Sequence, residues 1–249
     1  MIWVIGKREF VAMFLSPLAW VILAVIQVIM GYMFLANLDN FLLLQPQLMH
    51  LENTPGVTDI VVTPLMQIAA IILLMVMPLM TMRSFAEEKR NHSLTLLISS
   101  PLSMTEIVLG KFCGLMLFVL VLVSMLMLMP LSLYLGTTPD AGKLLAIYVG
   151  MLLLLGAFSA IGLYVSSLTE NQTIAAVGSF GVLLMLWIID WLSGSVGSGQ
   201  SLLAYLSLLQ HHESMLEGLF DSADIAYYLL LIIGFLGLTI RQLDRERLL

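Results

Sequence analysis

Six apolar stretches of this chain run without Asp, Glu, Lys or Arg and without a Gly/Ser-rich interruption: 10–38, 60–82, 112–139, 144–169, 171–189 and 225–240. A bilayer core of ~30 Å needs ~20 helical residues. Inside lipid every backbone N–H and C=O has to be satisfied within the segment or within a closed barrel. Barrel strands alternate apolar and polar residues, whereas these stretches are apolar in unbroken runs of Leu, Ile, Val and Met, so they read as helices. The chain is 60% hydrophobic and 10% charged, against roughly 25% charged in a soluble domain. The fold class expected is an all-α membrane protein with six transmembrane helices in a single domain, 1–249.

The first stretch is too long for one span, and Ser16-Pro17 divides it, Ser being a preferred N-cap and Pro a preferred first helical residue. The spans then fall at about 17–38, 60–82, 107–135, 144–168, 171–190 and 224–240. The sixth has few apolar residues before Arg241, so it tilts little, thins the bilayer or borrows a turn from 222–224. Residues 1–15 mix Trp3, Phe10 and Phe14 with Lys7, Arg8 and Glu9, which suits a helix lying in the membrane interface. A cleaved leader is not expected, because the following apolar stretch is too long and no small-residue cleavage pattern follows it.

An even number of spans puts both termini on one side. Nine of the ten basic residues fall there: Lys7, Arg8, Arg83, Lys89, Arg90, Lys111, Arg241, Arg245 and Arg247; Lys143 lies opposite. The positive-inside rule makes that side cytoplasmic. The net charge of -6 divides into +2 inside and -8 outside. No nucleic-acid surface is implied. The one cysteine, Cys113, lies in an apolar run and reads as buried filler.

What the spans lack constrains mechanism. Ion-driven transporters keep ionisable groups near the bilayer midplane, and these uncharged stretches hold none. Asp190 lies at the outer end of span five beside Trp187 and Trp191 and reads as an interfacial carboxylate. All four histidines are outside the spans, so an intramembrane hydrolase lacks its base. The nearest approach to a phosphate loop, Gly136 to Leu144, has the wrong glycine spacing and Leu144 where Ser or Thr is needed. Any energy for driven work has to come from another polypeptide.

The largest group of inner-side charges, six of sixteen, sits in the loop 83–106 between spans two and three. It contains two capping boxes, Ser84-x-x-Glu87 and Ser103-x-x-Glu106, separated by Pro101. Two helices are expected: one over 85–99, charged at its start and apolar at Leu94, Leu97 and Ile98, and one from Met104 into span three. Outside, 193–223 begins as a Gly/Ser-rich stretch and continues as an apolar helix over 202–220, either re-entrant or resting on the surface. Eighteen methionines raise the question of copper at His211, His212 and Met215. The methionines otherwise follow no ligand spacing, so no metal site is assigned. The pairs Gly110/Gly114, Gly156/Ala160 and Gly234/Gly237 are suited to close helix approach.

The chain resembles the ABC-2 family, the permease subunits of ATP-binding cassette transporters, and within it the six-span gliding-motility and nitrous-oxide-reductase-maturation permeases. The marks are Arg8-Glu9-Phe10 with Ser16-Pro17-Leu18-Ala19, Arg83-Ser84-Phe85-Ala86-Glu87-Glu88-Lys89, Leu96 to Ser103, Glu106 to Lys111, and His211, Gly218, Asp221 and Asp224 before Tyr227-Tyr228. The resemblance implies an elbow helix over 1–15 and a coupling helix over 87–101 docking on a cytoplasmic ATPase. Coupling residues carried over are Glu87, Glu88, Lys89, Arg90, His92, Ser93, Leu97 and Pro101. It departs from the family at His92-Ser93, where Gly-Thr is usual. The resemblance further implies no cofactor bound by this chain (ATP and Mg on the partner), two ATPase copies, a second permease copy or paralogue, a bacterial inner-membrane location and export of a substrate not legible here. A scaffold that anchors a cytoplasmic partner without transport is the alternative.

Overall fold

A computed structural model describes residues 1–48, 56–91, 103–195, 207–219 and 221–247. The elements are α1 (Ile2–Leu15), α2 (Pro17–Leu48), a π-helical turn (Thr58–Val62) leading into α3 (Thr63–Thr81), α4 (Arg83–Arg90), α5 (Met104–Ser132), α6 (Ala141–Leu168), α7 (Gln172–Ser195), α8 (Leu208–Leu216) and α9 (Ser222–Arg247). No strand occurs among the described residues. Six helical segments are long and apolar enough to cross a membrane: Pro17–Pro46, Thr58–Arg90, Met104–Leu135, Ala141–Leu168, Gln172–Ile189 and Ser222–Arg247. The chain is a multi-pass membrane protein.

Helix α6 occupies the centre, and small residues on it set the distances to its neighbours. A Cβ on Gly150 would stand 3.0 Å from Met215 of α8, and one on Gly156 would stand 3.1 Å from Ile232 of α9. On Gly162 it would overlap Thr81 of α3, 2.1 Å from Oγ1. Lipid gives no hydrophobic drive between helices, so such close approach supplies the packing energy. The pair Gly110/Gly114 receives α1: added Cβ atoms would come 2.6 Å from Ile5 and 2.7 Å from Glu9. That motif therefore seats the N-terminal helix on α5. Gly234 and Gly237 meet nothing within 4 Å among the described residues.

Local capping sets several boundaries. Ser16 is extended, and its Oγ accepts from Leu18 N as α2 starts at Pro17. The Ser103/Glu106 capping box forms in both directions. Asp140 caps α6 through Gly142 N and Lys143 N. The Ser84/Glu87 box does not form: α3 passes through Met82 in helical conformation into α4, so Ser84 stands inside α4 and not at its N-cap. Of the helix expected over 85–99, residues to Arg90 are helical, and 92–102 lie outside the described residues.

The two ends of the bundle differ. At one end gather α1, α4, the start of α5 and the ends of α6 and α9, with nine of the ten basic residues. At the other end Lys143 pairs with Asp59, Asp140 N donates to Thr58 Oγ1, and α8 is tucked between helices, with Leu208, His212, Met215 and Leu216 buried. Helix α8 stops where Gly218 takes φ +88 and Leu219 N donates to Ser214 O. A helix buried on this many sides is docked into the bundle and does not rest on the surface by one face. Residues 196–206 and the side chain of Asp190 lie outside the described part.

Candidate functional site

The basic end centres on α4. Thr81 Oγ1 donates back to Met77 O, and Gly162 lets α6 come against it. One turn further on α6, Ser166 reaches the first turn of α4. Its Oγ accepts from Phe85 N and Ala86 N, each at 3.1 Å, and donates to Met82 O at 3.1 Å. A hydroxyl from another helix thus supplies the cap that Ser84 does not. Phe85 and Ala86 are fully buried beneath it.

Glu88 and Lys89 of α4 turn inward into ion pairs. Glu88 Oε1 accepts from Lys111 Nζ of α5 at 2.7 Å, and the same ammonium donates to Glu9 Oε1 of α1 at 3.1 Å. It also lies 5.2 Å from the Phe85 ring centroid, within cation–π range. The Lys111 side chain is 3% exposed. A charge this far from water is tolerated only when paired and hydrogen-bonded, and here two other helices, α1 and α4, supply the partners. Lys89 does the same on the other side of α4. Its ammonium donates to Ser167 O at the end of α6, where the helix dipole favours a cation, and pairs with Glu246 of α9. Helix α4 is therefore tied by polar contacts to α1, α5, α6 and α9.

Outward from that hub the lining is charged. Arg83, Glu87, Arg90, Asn91 and Gln172 surround a polar recess of about 270 Å³. A larger recess of about 470 Å³ opens between α1, α4 and the start of α2, with Arg8, Arg83 and Glu87 at its polar side. Of the eight residues carried over as coupling residues, Glu88 and Lys89 are internal struts, while Glu87 and Arg90 stand on the outward face. His92, Ser93, Leu97 and Pro101 lie outside the described residues. Sequence reasoning missed Lys111, Ser166 and Glu246. Lys111 had a usable signal, being a lone cation two turns into a long apolar helix, where an ionisable residue marks function by default. Ser166 and Glu246 had none, since their partners are about 80 and 157 residues away in sequence.

At the opposite end, His211 Nδ1 lies 2.6 Å from Asp224 Oδ1, and its ring stacks on Tyr227 at 4.1 Å. Tyr228 is fully buried and donates to Leu208 O at 3.0 Å. His212 is buried near Trp187, and neither ring nitrogen has a hydrogen-bond partner among the described residues. Burial pushes its imidazole down to about 4. His211 is thus committed to Asp224 and Met215 to Gly150, and no cluster of three His, Cys, Asp or Glu side chains able to hold a metal occurs among the described residues.

No curated protein matches the chain. The family described as ABC-2 family transporter protein matches over residues 3–246, nearly the full length, so the elbow-like α1, the hub on α4 and the docked outer helix all fall within one match. This chain belongs to the ABC-2 transporter family, as a membrane-spanning permease subunit.

Proposed function

We propose that this chain forms the membrane half of an ATP-driven exporter, with its basic end and both termini in the cytoplasm of a bacterial cell. Two copies of a cytoplasmic ATP-binding cassette ATPase dock at the segment beginning with α4, and they hold the ATP and Mg. A second permease, identical or paralogous, completes the path. The observation that carries this reading is the hub on α4. A force applied there reaches α3 through the backbone, α1 and α5 through Lys111, and α6 and α9 through Lys89 and Ser166. A stroke delivered by a partner needs such a lever, whereas a passive anchor needs only an adhesive loop. Glu87, Arg90 and the residues that follow offer the charged docking face; Glu88 and Lys89 transmit.

The test is gentle extraction of the chain from its native membrane, identification of what accompanies it and an ATPase assay on the complex. A Walker-type ATPase should accompany the chain and be lost when 87–101 is scrambled in a protein that still inserts. Recovery of the chain alone, or with partners that are not ATPases, sinks the pump and leaves a membrane scaffold.

A further inference from the structure

The larger recess at the basic end shares Glu87 with the docking face and Glu9, Glu88 and Lys111 with the hub, but is otherwise lined by residues that coupling does not use. Its mouth carries two guanidiniums, Arg8 on α1 and Arg83 on α4, both exposed and both without an ion pair among the described residues. Beside them lies the half-buried carboxylate of Glu87, also unpaired among the described residues. The remaining charges in the lining, Glu9, Glu88 and Lys111, are engaged with one another. The rest of the wall is apolar in part, at Met13, Leu18, Leu79 and Met80. The depth is that of a lipid headgroup: α1 exposes Trp3, Val4, Val11 and Leu15 as an interfacial helix does, and α2 enters the apolar zone from Pro17.

We propose that this recess binds a phospholipid whose headgroup joins a phosphodiester to a primary ammonium, that is, an ethanolamine phospholipid. The two arginines suit the phosphate, because guanidinium forks match phosphate oxygens in paired charge-assisted bonds. Glu87 accepts the ammonium. The lining holds three cations and three carboxylates, so a neutral zwitterion leaves it balanced. An anionic headgroup would confront Glu87 with no partner to offer. A choline headgroup has no N–H to donate and is recognised by aromatic faces, and no aromatic residue among the described residues lines this recess. The apolar part of the wall receives the start of the acyl chains, which favours the lipid over its free headgroup. The space, about 470 Å³, is of the size that ligand sites of 300–1,000 Å³ occupy.

This inference goes beyond the permease reading, and its test needs no ATPase. The purified full chain is offered equal amounts of phosphatidylethanolamine, phosphatidylcholine and phosphatidylglycerol, and bound lipid is counted by native mass spectrometry. The ethanolamine lipid should be retained in preference to both others. Arg8→Gln with Arg83→Gln should lower its retention about tenfold. Glu87→Gln should abolish the preference over phosphatidylglycerol, and Arg245→Gln, exposed and outside this recess, should leave lipid retention unchanged. Retention of phosphatidylglycerol at or above the ethanolamine lipid, or full retention by the double arginine variant, overturns the proposal. Displacement by an equal concentration of soluble phosphoethanolamine overturns the lipid assignment. Arg8 and Arg83 are solvent-exposed, so the double variant folds as the parent does, and a single symmetric gel-filtration peak confirms it.

Discussion

Lys111 concentrates the energetics of the basic end in one atom. Its ammonium is nearly dry and serves two carboxylates from two helices. Removing one partner from a buried pair leaves the other charges uncompensated, at a cost of about 3–5 kcal/mol. Lys111→Ala is therefore expected to destabilise the protein by that amount in detergent unfolding. Combining it with Glu9→Gln and Glu88→Gln should recover most of the loss. A Lys111→Ala protein as stable as the parent would show that the pair is not desolvated. Glu88→Lys, which the charge pattern alone suggests as a probe of docking, sets a second cation against Lys111 and so reports on stability first. His212 gives a pH dependence. Its folded-state pKa of about 4 lies below the ordinary 6.5, so between these values the unfolded chain binds a proton that the folded one refuses. Stability then rises with pH across that window: the contribution is complete above about 6.5 and is lost as pH falls through about 4, on the order of 3 kcal/mol. Thermal unfolding at about pH 4.5 and about pH 7.5 should differ strongly in the parent and much less in His212→Leu.

At the scale of elements, α1 is held less by hydrophobic area than by shape. Gly6, Gly110 and Gly114 let its backbone lie against α5, and Cys113 sits directly beneath Gly6, 3.2 Å from where a Cβ would be. A valine at 110 has no room, because even a methyl there would stand 2.6 Å from Ile5. Gly110→Val should lift α1 away from α5 and break the Glu9–Lys111 contact. Cys113 is the one thiol in the chain and reports this directly: maleimide labelling should speed up by about tenfold or more as its cover opens, which corresponds to about 1.4 kcal/mol of weakened docking. Unchanged labelling would mean that α1 stays seated through side-chain contacts alone.

For the whole molecule, the separation between inward struts and outward charges predicts separable phenotypes. Arg90 is exposed, and its substitution leaves the hub intact. Arg90→Glu should lower ATPase stimulation in the assembled complex several-fold while leaving the unfolding temperature unchanged, as expected of an exposed residue away from special features. Equal losses in both would place Arg90 in the fold and not in the docking face. At the other end α8 is held to α9 through His211–Asp224 and Tyr228–Leu208.

The sequence by itself determined the number of spans, their helical nature and the grouping of basic residues at one end. Each of these follows from transfer free energies that are local and nearly additive, so a run of uncharged residues can be read where it stands. The Ser16-Pro17 break and the Ser103/Glu106 cap were legible for the same reason, since their hydrogen bonds close within three residues. The seat of the Gly110/Gly114 motif was not legible, because a small-residue patch specifies closeness and not the partner. Nor was the inward turn of Glu88 and Lys89: a charge run has the same pattern whether water or Lys111 receives it. Only tertiary structure decided those points. The partners of α4 stand between 23 and 157 residues away along the chain, and the energy of a buried ion pair depends on what excludes water around it.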